Sequence, residues 1–186
     1  MKEINTNELN IDEPLKIRCY PDPILRAPTE LVADFDEKLA LLVDKMRLAM
    51  GISDGVGLAA PQVGITKKIA LVSYEDKFYV LINPKVLKKE GEQDGDEGCL
   101  SFPGIFAPLK RPGKISVAAF DASGKEQLYE PEGFLARVFL HELDHLEGKL
   151  FIDHLSPLKR GIIRKKVQKN NAPGENRSDK RHGAVE

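Results

Sequence analysis

Hydrophobic and polar positions follow a helical period in three parts of the chain. Asp36 can cap a first helix, which Gly51 is expected to end. The apolar face of this helix consists of Leu39, Leu42, Val43, Met46 and Met50. Residues 134–147 are apolar on most sides, which predicts a helix buried in the middle of a domain. A third helix is expected from a cap at Ser156 to Asn170.

Between the first two helices the pattern changes to that of extended chain. Residues 69–73, 79–83, 115–121 and 127–129 each predict a strand, and short polar turns join them in pairs. The order of helix, strands and helix predicts an α+β fold, with antiparallel β-sheets around a central buried helix and a further C-terminal helix.

The chain divides into four predicted parts. Residues 1–14 are expected to form a flexible leader, and residues 15–156 the catalytic domain. A basic helix is expected at 157–170, and residues 171–186 are polar enough to predict a disordered tail.

Composition excludes several classes of protein. With 28 basic and 29 acidic residues among 186, the net charge of −1 gives no basis for nucleic-acid binding by the whole surface. Two cysteines, Cys19 and Cys99, are too few for a disulfide framework. Neither a signal peptide nor a membrane-length apolar stretch is present. A soluble, cytoplasmic protein without a membrane partner is therefore expected.

The strongest chemical motif lies on the buried helix. His141 and His145 are four residues apart, so their side chains lie on one helix face, close enough to bind one metal ion. Glu142 can then reach a water activated by that metal, as metal-assisted hydrolysis requires. A chance match on an ordinary helix is the alternative. The longer pattern with a third histidine fails, because Phe151 occupies that position and His154 lies three residues too far along.

Cys99 is the best candidate for the third ligand, since a thiolate binds zinc or ferrous iron strongly. A buried, inert thiol is the alternative, and for Cys19 it is the preferred interpretation. Residues 55–62 form a small-residue segment that ends in the amide of Gln62. It lacks the Lys-Ser/Thr pair of a phosphate-binding loop, so a tightly packed turn is its default interpretation.

Taken together, three motifs resemble the peptide deformylase family, which removes the formyl group from N-terminal methionine. They are GVGLAAPQ at 55–62, EGCLS at 97–101 and HELDH at 141–145, in that order. Residues 21–26 (PDPILR) are also similar, and the resemblance covers about residues 15–160. It implies hydrolysis of the formyl group of newly made polypeptides, with release of formate.

The resemblance also implies a set of site residues. Cys99, His141 and His145 would bind one divalent metal ion, which is Fe²⁺ in typical members, with Zn²⁺, Ni²⁺ or Co²⁺ as alternatives. Glu142 would transfer the proton. The residues implied to stabilise the negative charge on the formyl oxygen or to lie beside the substrate backbone are Gln62, the Leu100 N–H and Gly57.

Further residues are implied to bind the substrate or to support the site. Val56, Phe134 and Val138 match positions that line the methionine pocket, with ordinary core packing as the alternative. For Arg137, the stem is expected to border the pocket while the charge faces solvent. A pairing of Arg111 with Asp144 would steady the metal-binding helix, and a plain surface role for both is the alternative. The basic C-terminal helix would dock on the ribosome, with a solvated face as the alternative.

Two other functions compete with this interpretation. A zincin-like peptidase would cut internal peptide bonds and would keep its metal without Cys99. A metal-holding or ribosome-binding protein without turnover would be unaffected by the loss of Glu142. The full set of ligands, base and oxyanion donor favours the deformylase.

Overall fold

The fold is α+β, with two antiparallel sheets packed around a central helix. The computed structural model describes residues 14–171, so all but the last residue of the expected leader and all but the first residue of the expected tail lie outside the described residues. The helices are α1 (Glu37–Ile52), α2 (Gly133–Leu146) and α3 (Pro157–Asn171). In the part of the chain that the structure describes, none of them is long and apolar enough to cross a membrane.

Between residues 14 and 171, seven strands form the two sheets. They are β1 (Gly57–Ala59), β2 (Ile69–Tyr74), β3 (Lys77–Glu90), β4 (Gln93–Gly98), β5 (Phe106–Arg111), β6 (Lys114–Phe120) and β7 (Glu126–Tyr129). The larger sheet has the order β1-β2-β3-β6-β7, and all its pairs are antiparallel. Strands β4 and β5 pair only with each other, as a two-stranded hairpin.

The start of α1 agrees with the expectation from its sequence, but its end does not. The Asp36 side chain accepts a hydrogen bond from the Leu39 backbone N–H at 3.0 Å, which makes it the expected cap. The expectation that Gly51 ends the helix is wrong, because the helix continues to Ile52. A glycine in the right-handed helical region costs stability but does not by itself stop a helix.

Sequence patterns predicted neither the short strand β1 nor the β4–β5 hairpin, and the hairpin is the larger difference. The β4 sequence, QDGDEG, contains two glycines and three acidic residues, which are rare in strands. In β5, Pro108 has no backbone N–H to donate to a strand ladder, which disfavours a strand. The hairpin exists because its buried face packs against the rest of the molecule through Ala107 and Leu109.

Helix α2 lies at the centre of the molecule and carries the HELDH motif. One face packs on the larger sheet through Ala136, Phe139 and Leu143, together with Val72 and Leu81. A second core cluster lies between α1 and the same sheet, and a third joins the hairpin to α3. The third cluster lies beside the histidines of α2, because its Phe151 ring stacks on that of His141 with ring centroids 6.3 Å apart.

Candidate metal centre and active site

Helix α2 and the end of β4 bring together the three proposed metal ligands. The donor atoms of Cys99, His141 and His145 all lie within 4.8 Å of one another, and Cys99 Sγ is 3.3 Å from His145 Nε2. A thiolate and two imidazoles are donors that Zn²⁺ and Fe²⁺ accept. The residues present therefore fit a single metal ion.

The Cys99 thiol is held in the form that binds metals. Burial raises the pKa of this thiol, but the adjacent His145 and His141 imidazoles outweigh burial and hold it well below its usual range. A thiolate is both the nucleophilic and the metal-binding form of cysteine. The alternative of an inert packed thiol does not match this environment.

Glu142 lies beside the ligands in a buried position. Its Oε2 atom has no hydrogen-bond partner among the described residues, although a buried carboxylate oxygen is normally paired. Burial raises the pKa of Glu142 to about 7. A carboxylate with this pKa can accept and release a proton near neutral pH, which is the property of a general base.

The segment at 55–62 places Gln62 against the same cluster. The Ala59 backbone N–H donates to Gln62 Oε1 at 2.8 Å, which fixes the orientation of the amide. The Gln62 Nε2 group therefore points towards Cys99 Sγ at 3.5 Å and Ser101 Oγ at 3.3 Å. This segment is a short strand followed by a 3-10 turn, and its amide donor faces the candidate centre.

Gly57 lies directly against Glu142, the candidate base. A Cβ atom at this position would be 2.2 Å from Glu142 Oε1 and 2.8 Å from Glu142 Cδ. Side-chain contacts of that length do not occur, so only glycine fits while Glu142 keeps its position. Glycine is needed at this position because β1 approaches α2 closely, and not because the chain turns here.

Glu97 is a buried carboxylate that the sequence motif contained but to which sequence reasoning gave no role. Its Oε2 atom is 3.0 Å from His141 Nδ1. Arg111 donates through Nε to Glu97 Oε1 at 2.7 Å and through Nη2 to Glu97 Oε2 at 2.9 Å. Burial raises the pKa of Glu97, but Arg111 and His141 outweigh it and lower the pKa to about 2. An ionised carboxylate on Nδ1 leaves His141 Nε2 to face the metal.

The expectation that the Arg137 charge faces solvent is wrong. The side chain is 3% exposed, and its guanidinium points into the hairpin. Its Nη1 atom is 3.1 Å from Glu97 Oε1. The guanidinium is buried because backbone carbonyls of the hairpin and the Glu97 carboxylate accept its hydrogen bonds. These partners are distant in sequence, so the local sequence gives no signal of them.

Arg111 and Asp144 form the expected pair, at 2.6 Å. His154 is also 2.6 Å from Asp144 Oδ2, so it belongs to this pair rather than to the ligand group. Phe151, at the position of the third histidine in the longer pattern, is buried in the core. The ligand set of a zincin-like peptidase is therefore not present at these positions.

A cavity of about 630 Å³ opens onto the cluster. Val56, Phe134 and Val138 line it, as does Leu100, together with Gln62 and Glu142 at the inner end. Val138 is buried, whereas Val56 and Phe134 are about half exposed at the cavity mouth. All three side chains line the cavity, and Val138 also belongs to the core cluster between α2 and the larger sheet.

Comparisons with known proteins agree with this site. A family model described as polypeptide deformylase matches residues 14–161. The chain is 50% identical over 139 residues to peptide deformylase 1 of Bacillus cereus, covering 74% of this chain and 89% of that protein. It is 43% identical over 159 residues to the peptide deformylase of Thermodesulfovibrio yellowstonii, covering 83% and 96%.

Solved structures give the same picture. The peptide deformylase of Ehrlichia chaffeensis in complex with actinonin superposes with a TM-score of 0.83 at 36% identity, covering 86% of this chain and 98% of that chain. The Thermotoga maritima enzyme gives a TM-score of 0.76 at 41% identity, covering 78% and 99%.

Proposed function

The chain belongs to the peptide deformylase family, and on that premise we propose how its own residues carry out the reaction. The enzyme is a metal-dependent hydrolase that removes the N-formyl group from the N-terminal formyl-methionine of newly made polypeptides and releases formate. The observation that carries the residue-level proposal is the group formed by Cys99, His141 and His145 beside an unpaired carboxylate oxygen of Glu142.

Cys99, His141 and His145 hold the metal in this proposal, and Glu97 fixes the orientation of His141. When bound, the metal supplies a Lewis acid that polarises the formyl carbonyl and lowers the pKa of the attacking water. Among the divalent metals that these donors accept we propose Fe²⁺, with Zn²⁺, Ni²⁺ and Co²⁺ as substitutes. Metal analysis of protein purified without oxygen checks this: about one iron per chain supports Fe²⁺, and fully active protein containing only zinc contradicts it.

Glu142 moves the protons. Its Oε2 atom takes a proton from the water as the oxygen attacks the formyl carbon, and the same atom later gives the proton to the leaving nitrogen. The carbon–nitrogen bond then breaks, and the products are formate and a peptide with a free amine. Burial, which raises the pKa of Glu142, favours release of the proton from this carboxyl group to the leaving nitrogen.

Negative charge on the formyl oxygen is stabilised by the Gln62 amide and the Leu100 backbone N–H. The hydrogen bond from Ala59 to Gln62 Oε1 orients the amide in advance, so no reorganisation is needed as the charge develops. The formyl-methionine side chain occupies the cavity between Val56, Phe134 and Val138. Gly57 leaves room for the substrate backbone next to Glu142.

We also propose that the enzyme acts in the cytoplasm on chains emerging from the ribosome, and that α3 docks on ribosomal RNA. Ile163 and Val167 bury one face of α3, which leaves a basic face exposed. Its residues are Lys159, Arg164, Lys165, Lys166 and Lys169. Replacing these five by glutamine keeps the buried face, so loss of co-sedimentation with ribosomes at low salt is the expected result. Undiminished co-sedimentation contradicts the docking.

The reaction is tested by formate release. Protein purified without oxygen and loaded with one metal per chain is given a formyl-Met tripeptide, its acetyl-Met counterpart and an unblocked peptide with several internal bonds. Release of one formate per new amine from the first substrate only is the expected result. Cleavage of internal bonds, or no release from folded, metal-loaded protein, contradicts the proposal.

A further inference from the structure

Two separate elements supply the proposed metal ligands. Helix α2 carries His141 and His145, whereas Cys99 immediately follows β4, in the connection of the β4–β5 hairpin. A two-stranded hairpin is only marginally stable alone. The distance between the thiolate and the imidazoles therefore depends on the contacts that join the hairpin to α2.

Arg137 makes such contacts with both strands of the hairpin. Starting from α2, its Nη1 atom is 3.1 Å from the Gly95 carbonyl oxygen and 3.0 Å from that of Leu109, and its Nη2 atom is 3.3 Å from that of Gln93. Two of these acceptors are on β4 and one is on β5. The guanidinium thus joins both strands of the hairpin to the helix by hydrogen bonds.

The same group reaches the carboxylate that orients a ligand. Arg137 Nη1 is 3.1 Å from Glu97 Oε1, and Glu97 Oε2 is 3.0 Å from His141 Nδ1. Arg137 precedes His141 by one helical turn, so the guanidinium, the carboxylate and the imidazole form a closed, buried connection between α2 and β4.

A second bridge runs from Arg111 on β5 to Asp144 on α2 at 2.6 Å. This bridge does not replace the contacts of Arg137, because it joins β5 to α2 at a single carboxylate, that of Asp144. The carbonyls of β4 are bound from α2 by Arg137.

We propose that Arg137 is a positioning residue of the metal centre, which holds the β4–β5 hairpin against α2 so that Cys99 Sγ faces the His141 and His145 imidazoles. This inference rests on the ligand set in the proposed function. Arg137 transfers no proton and donates no bond to the metal. Its loss is therefore expected to appear as faster metal release, even when the fold persists.

The test uses Co²⁺ as the probe. Parent, Arg137→Met, Arg137→Lys and Arg160→Met are loaded with Co²⁺ without oxygen, and the thiolate-to-cobalt absorption is followed after addition of a chelator. Arg160 is a matched control, because it also donates to three backbone carbonyls yet touches neither the hairpin nor Glu97. Circular dichroism checks the fold of each variant.

Arg137→Met is expected to lose Co²⁺ at least about tenfold faster than the parent, since partners that orient metal ligands are typically worth about 10–100-fold in metal affinity. Arg137→Lys should fall between the two, because an ammonium cannot span acceptors on both strands, and Arg160→Met should match the parent. A folded Arg137→Met with the parental rate, or equally fast loss from Arg160→Met, overturns the inference.

Two further results keep the test decisive. If Arg137→Met does not fold, Arg137→Lys decides, and a parental rate in that variant overturns the inference. If the parent itself shows no thiolate-to-cobalt absorption, the ligand set containing Cys99 is what fails, and this result is distinct from a failure of Arg137 alone.

Discussion

Replacing Gly57 by alanine should displace Glu142, the proposed catalytic base. The new Cβ atom would lie 2.2 Å from Glu142 Oε1, whereas ordinary contact begins at 3.4 Å, so the carboxylate oxygen must retreat by the difference, about 1.2 Å. A misplacement of about 1 Å at a reacting group can cost ~100-fold in rate, or ~2.7 kcal/mol in the barrier. Crowding of a packed site should also lower the free energy of unfolding by about 1–3 kcal/mol.

The assay measures kcat and KM for formate release from a formyl-Met tripeptide, with metal content and thermal unfolding measured on the same samples. Gly57→Ala should keep its metal, because Glu142 is not a proposed ligand, and should lose kcat about 100-fold. Gly161→Ala is the control: nothing lies within 4 Å of a Cβ at that helical position, so activity should be unchanged.

A double variant tests whether the loss acts through the base. Glu142→Asp shortens the side chain by one methylene and so draws the carboxylate back from the new methyl group. The losses from Gly57→Ala and Glu142→Asp should therefore combine to much less than their product. A folded, metal-loaded Gly57→Ala enzyme with kcat within twofold of the parent would refute the reasoning, and so would fully multiplicative losses.

Three further predictions concern the oxyanion donor, a helix cap and a surface ion pair. Gln62→Met removes the amide donor without burying a second negative charge beside the Cys99 thiolate, so kcat should fall by about 10²–10³-fold, with a smaller loss of unfolding temperature because the Ala59 N–H loses its acceptor; an active variant contradicts the role. Asp36→Ala should lower the free energy of unfolding in urea by about 1 kcal/mol without changing kcat; no change in stability excludes the cap as a contributor. Burial raises the pKa of Asp153, but the hydrogen bond and charge of Arg26 outweigh burial and lower the pKa below its usual 3.8. The pair therefore stabilises the fold above pH 3.8, and its contribution to the free energy of unfolding decreases as the pH falls below that value. The stability difference between the parent and Asp153→Asn should therefore shrink from pH 7 to pH 3, and a constant difference contradicts the pairing.

Local sequence predicts most elements whose own residues determine them. Asp36 caps α1 through its side chain, and the apolar surface of residues 134–147 predicts the buried α2. The pairing of β2 with β3 follows from two apolar segments separated by a short polar turn. In each of these cases the signal lies within a few residues, so periodicity and capping rules detect it.

Sequence patterns did not predict the β4–β5 hairpin because residues elsewhere in the chain stabilise it. The β4 sequence has weak strand propensity, and its carbonyls are bound by Arg137, more than 40 residues away for Gln93 and Gly95. The same long-range contact reversed the expected direction of the Arg137 charge. Sequence motifs identified Cys99 and His141 as candidate ligands of one metal ion. The residues that position them, Arg137 and Glu97, could be recognised only from the three-dimensional structure.

The most direct test of the account compares Glu142→Ala with the parent in one experiment that counts both bound metal and formate. The account separates the ligands from the base, so the variant should bind about one metal per chain as tightly as the parent. Its formate release should fall by about 10²-fold or more, because the proton acceptor is gone. Parental formate release from metal-loaded Glu142→Ala would contradict the central claim that this carboxylate moves the protons.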